Sequence, residues 1–223
     1  MKKVVVSHSG GKDSMLALHR MIEQDDVEVV RILTTVNENF QRSSIHGIRE
    51  ELLELQAEYI GIPLQKVYLP KITTNEEYER LMSDAFREIE QDGISHIVFG
   101  DINLLDVREF REKQLEGINL EAIFPLWNEP THELIHEFIE LGYETLITTI
   151  DPKRVPDEFL GANLDHNMYK KLPEEVDPCG ENGEFHTFVV NGPLFNKRLP
   201  VKFGTKVVEE EFYKYQDVVR VKE

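Results

Sequence analysis

A short stretch near the amino end combines glycine, lysine, serine and aspartate in a spacing that suits the binding of a polyphosphate. It reads Ser9-Gly10-Gly11-Lys12-Asp13-Ser14 and follows three consecutive valines. Adjacent glycines lack a Cβ, so their backbone N–H groups can approach an anion closely. A helix beginning here would add free N–H donors and the positive end of its dipole. The pattern therefore predicts a strand, a phosphate-binding loop and a helix, with Lys12 as a mobile positive charge.

This stretch is not a Walker A loop, because Val6 stands where that pattern has its first glycine and Asp13 follows Lys12 in place of Ser or Thr. It resembles the PP-loop of ATP pyrophosphatases, which split ATP into AMP and pyrophosphate. The simpler alternative is a glycine turn whose serine caps the helix. A capping turn does not need lysine and aspartate at these two positions.

Composition limits the class of protein. The chain has 223 residues, enough for one large domain or two small ones. Its net charge is −17, and a surface that negative repels nucleic-acid phosphate, so we expect no nucleic-acid partner. The single cysteine, Cys179, excludes an internal disulfide and a Cys-x-x-Cys site. With no signal peptide and no apolar run near the roughly 20 residues that cross a bilayer, we expect a cytoplasmic protein without membrane contact.

Strands and helices alternate through the first part of the chain. Further strands are predicted at Val27 to Val36, Leu64 to Leu69, Ile94 to Phe99 and Glu121 to Phe124, and helices at Ile45 to Tyr59, Asn75 to Asp92 and Asp106 to Glu116. This alternation predicts an α/β fold with a Rossmann-like parallel sheet and helices on both faces. Right-handed connections then bring the carboxyl ends of the strands to one edge, where ligands bind.

Three strand ends meet at that edge in this interpretation: Ser7 to Ser14, Thr34-Thr35 and Gly100-Asp101. Gly100 would let the backbone pass close to a ligand. Asp101 would hold Mg²⁺ or a hydroxyl, or else cap a turn, and the sequence favours neither. The predicted nucleotide-binding residues are Ser7, Ser9, Gly10, Gly11, Lys12, Asp13, Ser14, Thr34, Gly100 and Asp101.

The pattern of predicted elements changes near residue 128, after Pro125-Leu126-Trp127. Elements predicted beyond this point are a helix at Pro130 to Gly142, a strand at Tyr143 to Ile150, a short helix near Asn163 to Leu172, and strands at Phe185 to Val190, Val201 to Phe203 and within Glu209 to Val221. We therefore expect a domain at residues 1–128 that binds ATP, and a smaller α+β C-terminal domain at residues 129–223 that binds substrate.

A second block rich in glycine and carboxylates runs from Asp177 to Phe188 and precedes a strand. Glu181 and Glu184 flank Gly183 and would line an ammonium site or hold a metal. On spacing alone, a polar hairpin loop is the simpler interpretation.

The whole chain resembles the diphthine–ammonia ligase family of PP-loop ATP pyrophosphatases. The matching pieces are Ser9 to Ser14, Phe99-Gly100-Asp101-Ile102 with Arg108 and Glu112, Pro125-Leu126-Trp127, Leu160-Gly161, Cys179 to Phe188, and Gly192 to Phe195. The family's last block usually reads Cys-Gly-Glu-x-Gly-Glu-Tyr-Glu-Thr-Phe, from which Phe185 and His186 depart. The resemblance implies a nucleotide-binding domain of the HUP or adenine nucleotide α hydrolase type.

The resemblance also implies a reaction. In the eukaryotic and archaeal ligases, ATP activates a carboxylate of a modified histidine on elongation factor 2, and ammonia then displaces AMP to give the amide. Bacterial relatives lack that acceptor. The implied substrates are ATP, ammonia and a carboxylate, which is diphthine on elongation factor 2 where the organism makes it. The implied catalytic residues are Lys12, Asp13, Glu181 and Glu184, with Mg²⁺ held by Asp13 or Asp101. The sequence is compatible with a homodimer as well as with a monomer.

Four further residues are candidates for ligand binding, and two other functions are alternatives to the ligase. His46 and Arg49 would meet the adenine or the substrate, or simply pack. Arg108 and Arg111 would bind an anion, or else pair with neighbouring glutamates. The rival functions are a PP-loop enzyme that modifies RNA, against which the negative charge and single cysteine argue, and a nucleotide-binding sensor that keeps ATP intact.

Overall fold

The structure, a computed structural model, describes residues 1–43, 47–209 and 213–221. Its contacts divide the chain into two compact units. The first unit comprises Met1–Ser9, Asp13–Ser44 and Ile62–Asn128. The second unit comprises Gly10–Lys12, Ile45–Gly61 and Glu129–Glu223. Two segments from the amino-terminal half of the chain thus belong to the second unit, an arrangement that no local sequence pattern predicts.

The described residues form two sheets and a set of short to medium helices. The strands are β1 Lys2–Ser7, β2 Val27–Asn37, β3 Arg42–Ser43, β4 Leu64–Leu69, β5 His96–Val98, β6 Glu121–Ile123, β7 Glu144–Ile150, β8 Phe185–Asn191, β9 Val201–Glu209 and β10 Lys214–Arg220. The helices are α1 Lys12–Ile22, α2 Glu50–Ile60, α3 Asn75–Gln91, α4 Leu105–Gln114, α5 Thr131–Glu140 and α6 His166–Tyr169, with a 3-10 turn at Asp157–Phe159. None of the helices in the described parts of the chain combines the length and the apolar run that a bilayer crossing requires.

The first unit contains the predicted parallel sheet. Its strands lie in the order β4-β2-β1-β5-β6, and the short β3 pairs antiparallel with the end of β2. In register, Ser7 of β1 is opposite Leu33 of β2, and Val6 is opposite Val98 of β5. The strand order reverses direction at β1, because β2 follows on one side of it and β5 on the other. The carboxyl ends of β1 and β5 therefore form the place where such sheets bind ligands.

Both faces of this sheet are buried. Val5 belongs to a core cluster with Leu33, Phe86 of α3 and Phe99. Val4 and Val6 point to the opposite face, since side chains alternate along a strand, and they too are inaccessible to solvent. A strand that is apolar on both faces is typical of a covered parallel sheet. The predicted α/β class with a Rossmann-like sheet is confirmed.

The second unit is built on an antiparallel sheet with the order β8-β7-β10-β9. Strand β7 pairs with β8 from Glu144 opposite Asn191 to Ile150 opposite Phe185. Helix α2, from the Ile45–Gly61 segment, and helices α5 and α6 belong to the same unit. The predicted α+β character of the C-terminal part is confirmed, but this unit also contains residues 10–12 and 45–61 and is therefore not the smaller of the two.

Some predicted bounds differ from the observed ones. Helix α2 begins at Glu50 because Arg49 is extended, with φ −61° and ψ 138°. Its end is as predicted, since Gly61 takes the left-handed conformation with φ 80°. The short strand β3, Arg42–Ser43, lies in a stretch for which the sequence predicts no element. Ile45, His46 and residues 210–212, to which predictions also apply, lie outside the described residues.

Candidate active site

In the first unit, the ends of the phosphate-loop stretch are held together by two serines. The backbone N–H of Ser9 donates to the Ser14 hydroxyl oxygen at 3.2 Å, and the two hydroxyl oxygens are also 3.2 Å apart. Just before them, the N–H of His8 donates to the carbonyl of Leu33 at 2.7 Å, which keeps the chain beside β2. The turn that follows β1 therefore doubles back on the first turn of α1, as the sequence predicts.

Gly100 brings the end of β5 against the start of α1. A Cβ built on Gly100 would lie 3.0 Å from the backbone carbon and oxygen of Asp13 and from the nitrogen of Ser14. Only a residue without a side chain allows this approach. Thr34 is buried on β2, one residue beyond the register partner of Ser7. The structure thus brings Ser7, Thr34 and Gly100 to the same edge of the sheet.

Lys12 belongs to the second unit, and its contacts there are with the glycine-rich carboxylate block. Its side chain is buried, and the ammonium group donates to the carbonyl oxygen of Cys179. Its backbone N–H donates to the Thr187 hydroxyl at 3.0 Å. The ammonium also lies 5.4 Å from the centre of the Phe185 ring, within the range of a cation–π interaction. Sequence reasoning missed Thr187 and the Cys179 carbonyl as partners of this lysine.

Gly10 is fixed in the second unit by backbone and side-chain contacts together. Its carbonyl accepts from the N–H of Val189 at 2.9 Å and from Gln56 Nε2 at 3.2 Å. Gln56 is fully buried and also donates to the Val189 carbonyl at 2.7 Å. Gly10 has φ +84°, and a Cβ there would lie 2.9 Å from Leu53 Cδ2. A glycine is therefore required both by the backbone conformation and by the space available.

Glu184 is fully buried and acts as an acceptor for its own loop. Its carboxylate accepts from the N–H of Asp177 at 3.2 Å, and from the backbone and side-chain nitrogens of Asn182 at 2.9 and 3.2 Å. Arg154 Nη1 lies 3.4 Å away, and Arg154 also donates to the Asn182 carbonyl at 2.6 Å. These contacts use both oxygens of Glu184, so its geometry is that of a residue that shapes the loop.

Asp177 completes the same loop. Its Oδ1 accepts from the N–H groups of Cys179 at 2.8 Å and of Glu181 at 3.2 Å, and its Oδ2 accepts from the Thr131 hydroxyl at 2.8 Å. The side chain of Glu181 is partly exposed. Asp177 and Glu184 thus set the position of the Cys179 carbonyl, and through it the position of the Lys12 ammonium.

The predicted metal ligands are two carboxylates, those of Asp13 and Asp101. Within the parts of the chain that the structure describes, no three His, Cys, Asp or Glu side chains come together as a metal site. The carboxylate of Asp101 lies 3.4 Å from Arg111 Nε. Asp13 and Asp101 would thus each offer a single carboxylate, and a Mg²⁺ ion would need further oxygen ligands from elsewhere.

The remaining candidates have these partners. Arg49 donates to both oxygens of Asp217 at 3.1 and 2.7 Å, which raises the pKa of its guanidinium. Arg108 donates to Glu112 at 2.8 Å, the pairing that helical spacing predicts, and its guanidinium also lies over two aromatic rings.

A parallel sheet whose order reverses at β1, with a glycine-lysine loop at that point, defines an α/β nucleotide-binding protein. Comparison with known proteins identifies the family. Residues 1–121 match the diphthamide synthase N-terminal domain and residues 130–223 match the diphthamide synthase C-terminal domain. The chain belongs to this family, and the predicted resemblance is confirmed.

The relatives carry a ligase name. The diphthine–ammonia ligases of Rattus norvegicus and Homo sapiens are 26% and 25% identical to the chain, each alignment covering 92% of it and 85% of the relative. That of Schizosaccharomyces pombe is 26% identical over 93% of the chain and 37% of its own length. Among solved structures, the U34-tRNA thiolase NcsA of Methanococcus maripaludis covers 64% of the chain and 57% of its own, with 22% identity and a TM-score of 0.41. The chain is an ATP-dependent ligase, the class of enzyme predicted from the resemblance.

Proposed function

We propose that the protein forms an amide from a substrate carboxylate and ammonia at the expense of ATP. In the first step a carboxylate oxygen attacks the α-phosphorus, and the bond to the β-phosphate oxygen breaks, giving an acyl adenylate and pyrophosphate. In the second step ammonia attacks the acyl carbon, AMP leaves, and one proton is released. The acceptor we propose is diphthine, the substrate in the relatives' name, with ammonia as the amine donor.

The observation that carries this proposal is the meeting of two distant motifs at Lys12. The Cys179 carbonyl and the Thr187 hydroxyl, 167 and 175 residues away, both contact this one residue. A phosphate loop does not need such partners in order to bind phosphate. These contacts link the Lys12 ammonium, which would neutralise triphosphate charge, to the block from Cys179 to Phe188. That block distinguishes this family within the PP-loop enzymes.

The residues of the loop would act by positioning and by charge. The ammonium of Lys12 would move from the Cys179 carbonyl to the phosphate oxygens and offset the charge that develops on pyrophosphate. The hydroxyls of Ser9 and Ser14 and the N–H groups of Gly10 and Gly11 would hold the phosphates. Buried donors that are already oriented need little reorganisation during the reaction.

The carboxylates would have different tasks. Glu184 would keep the loop in shape, as its buried contacts favour, and Glu181 would face the acyl adenylate and guide ammonia. Asp13 or Asp101 would offer one carboxylate to a Mg²⁺ ion, which would supply charge neutralisation when bound.

The test is to incubate the full chain with ATP, ammonium and elongation factor 2 that carries diphthine. We expect AMP and pyrophosphate in equal amounts and an amidated acceptor by mass spectrometry. ADP as the product, or ATP recovered intact with every acceptor, would refute the proposal. Intact bound ATP would point to a sensor.

Lys12→Met sharpens the test, because methionine keeps the buried stem but removes the charge. Loss of one charged transition-state contact of this kind costs about 3 kcal/mol, or about a hundredfold in the rate of AMP formation. The fold should survive with a loss of about 1–3 kcal/mol of stability, because the Cys179 carbonyl loses the ammonium as its donor. The matched control is Lys197→Met, since Lys197 also lies over an aromatic ring, 4.4 Å from the centre of Tyr59. Wild-type AMP formation by Lys12→Met would defeat the assignment.

A further inference from the structure

We propose that Arg108, in the first unit, binds a carboxylate of the acceptor substrate. Its guanidinium lies in a corner formed by two aromatic rings, those of Phe124 and Trp127, which we call the aromatic corner. This inference rests on the proposed function for the identity of the acceptor. The existence of an oxyanion site at Arg108 can be tested separately.

The aromatic corner fixes the plane of the guanidinium. The Cζ atom of Arg108 is 4.7 Å from the centre of each ring, and the two rings are 5.9 Å apart and inclined at 61°. Phe124 is in turn stacked on the buried Phe99 at 5.6 Å, so the corner is anchored in the core of the unit. Rings that pack on the face of a guanidinium leave its edge, where the N–H donors lie, available.

The hydrogen bond of Arg108 uses Nε and leaves the two terminal nitrogens, Nη1 and Nη2, available to a ligand. Nε donates to Glu112 Oε1 at 2.8 Å, which fixes the rotation of the fork. Neither Nη1 nor Nη2 has a hydrogen-bond partner among the residues that the structure describes. The side chain is 32% exposed, so a ligand in solution can reach it. Two parallel N–H donors at fixed orientation match the two oxygens of a carboxylate.

The site lies at the edge of the sheet where the chemistry is proposed. Arg108 is on α4, which follows the end of β5, and the aromatic corner follows the end of β6. One helical turn further along α4, Arg111 reaches Asp101 at 3.4 Å, the residue next to Gly100. Gly100 in turn abuts the backbone of Asp13 and Ser14. A carboxylate on Arg108 would therefore lie on the same edge as the phosphate loop.

Charged groups of both signs surround Arg108. The chain carries a net charge of −17, which repels an acidic acceptor on average. Arg111 adds a second cation on the same face of α4, and its contacts are long, 3.4 Å to Asp101 and 3.5 Å to the Tyr78 hydroxyl. Each of the two guanidinium groups also faces one carboxylate, Glu112 or Asp101, so what they would offer an acidic acceptor is directed N–H donors.

Trp127 provides a direct readout, because it is the only tryptophan of the chain. The full chain is titrated with glutarate while the fluorescence emission of Trp127 is recorded, and chloride keeps the ionic strength constant. Separate titrations use inorganic phosphate and ATP. We expect a saturable change with glutarate that is lost in Arg108→Gln and shifted at least tenfold in Arg108→Lys, which keeps the charge but not the planar fork. Arg198→Gln, which removes another arginine–carboxylate pair, is the control and should titrate like the wild type.

Three results overturn the inference: no saturable change with glutarate, a change that persists in Arg108→Gln, or saturation with phosphate but not with glutarate. In the amidation assay, Arg108→Gln should raise the KM for the acceptor at least tenfold and leave the KM for ATP unchanged. If glutarate binds as expected but no acceptor yields AMP, the proposed function fails while the oxyanion site stands.

Discussion

Glu184→Gln distinguishes a residue that shapes the loop from one that takes part in the chemistry. The substitution keeps the size of the side chain but turns one acceptor oxygen into a donor NH₂. Whichever oxygen is replaced, at least one N–H of Asp177 or Asn182 then faces another donor. A hydrogen bond to a charged group contributes roughly 1.5–3 kcal/mol, and a buried unsatisfied donor costs a further 1–3 kcal/mol or so.

We therefore expect the loop to open more easily by about 3 kcal/mol, an increase of about 150-fold in its opening equilibrium. Hydrogen exchange measured by mass spectrometry on a peptide that spans residues 177–188 reports this directly. The control is Glu144→Gln. Glu144 pairs with Arg198 at 2.5 and 2.8 Å but is 32% exposed, so a loss of less than about 1 kcal/mol is expected there.

The reasoning is refuted if Glu184→Gln exchanges as slowly as the wild type. Should AMP formation nevertheless collapse in that variant, Glu184 would act on the reacting groups, as the resemblance implies. If neither quantity changes, the contacts seen around its carboxylate do not hold the loop.

Two further predictions concern other contacts. Gly100→Ala places a Cβ 3.0 Å from the backbone of Asp13, so ATP binding measured by calorimetry should weaken at least tenfold. The control is Gly117→Ala, because a Cβ at Gly117 meets nothing within 4 Å. This variant should lose only about 1 kcal/mol of stability and bind ATP normally. Arg49→Gln removes the paired contact with Asp217, so the midpoint of urea denaturation should fall by the equivalent of about 1 kcal/mol with an unchanged KM for ATP; an increase in that KM would show that Arg49 meets the nucleotide.

The elements that surround the phosphate loop could be predicted closely, because their signals are local. Leu64–Leu69 is a strand with the predicted bounds, and the helix from Asn75 ends within one residue of its prediction. Apolar periodicity and the glycine at Gly61 carry this information. Strand β3 was not predicted, because a strand of two residues is too short to show a periodic pattern.

The contacts of the loop could not be predicted in the same way. Nothing in the local sequence of Gly10 indicates that its carbonyl accepts from Val189, or that Gln56 bridges the two. Such pairings depend on the tertiary arrangement of segments far apart in the chain, and so does the placement of residues 45–61 in the second unit. The sequence draws attention to both Glu181 and Glu184, but the burial that separates Glu184 from Glu181 has no signature in spacing.

The pairing of Gly10 with Val189 has a consequence during synthesis on the ribosome. Lys12 leaves the exit tunnel 175 residues before Thr187, its hydrogen-bond partner. Until Val189 and Thr187 emerge, the Gly10 carbonyl and the Lys12 amide lack the groups that orient them. Under the proposed function, a nascent or truncated chain that lacks these partners would therefore cleave ATP more slowly than the whole chain.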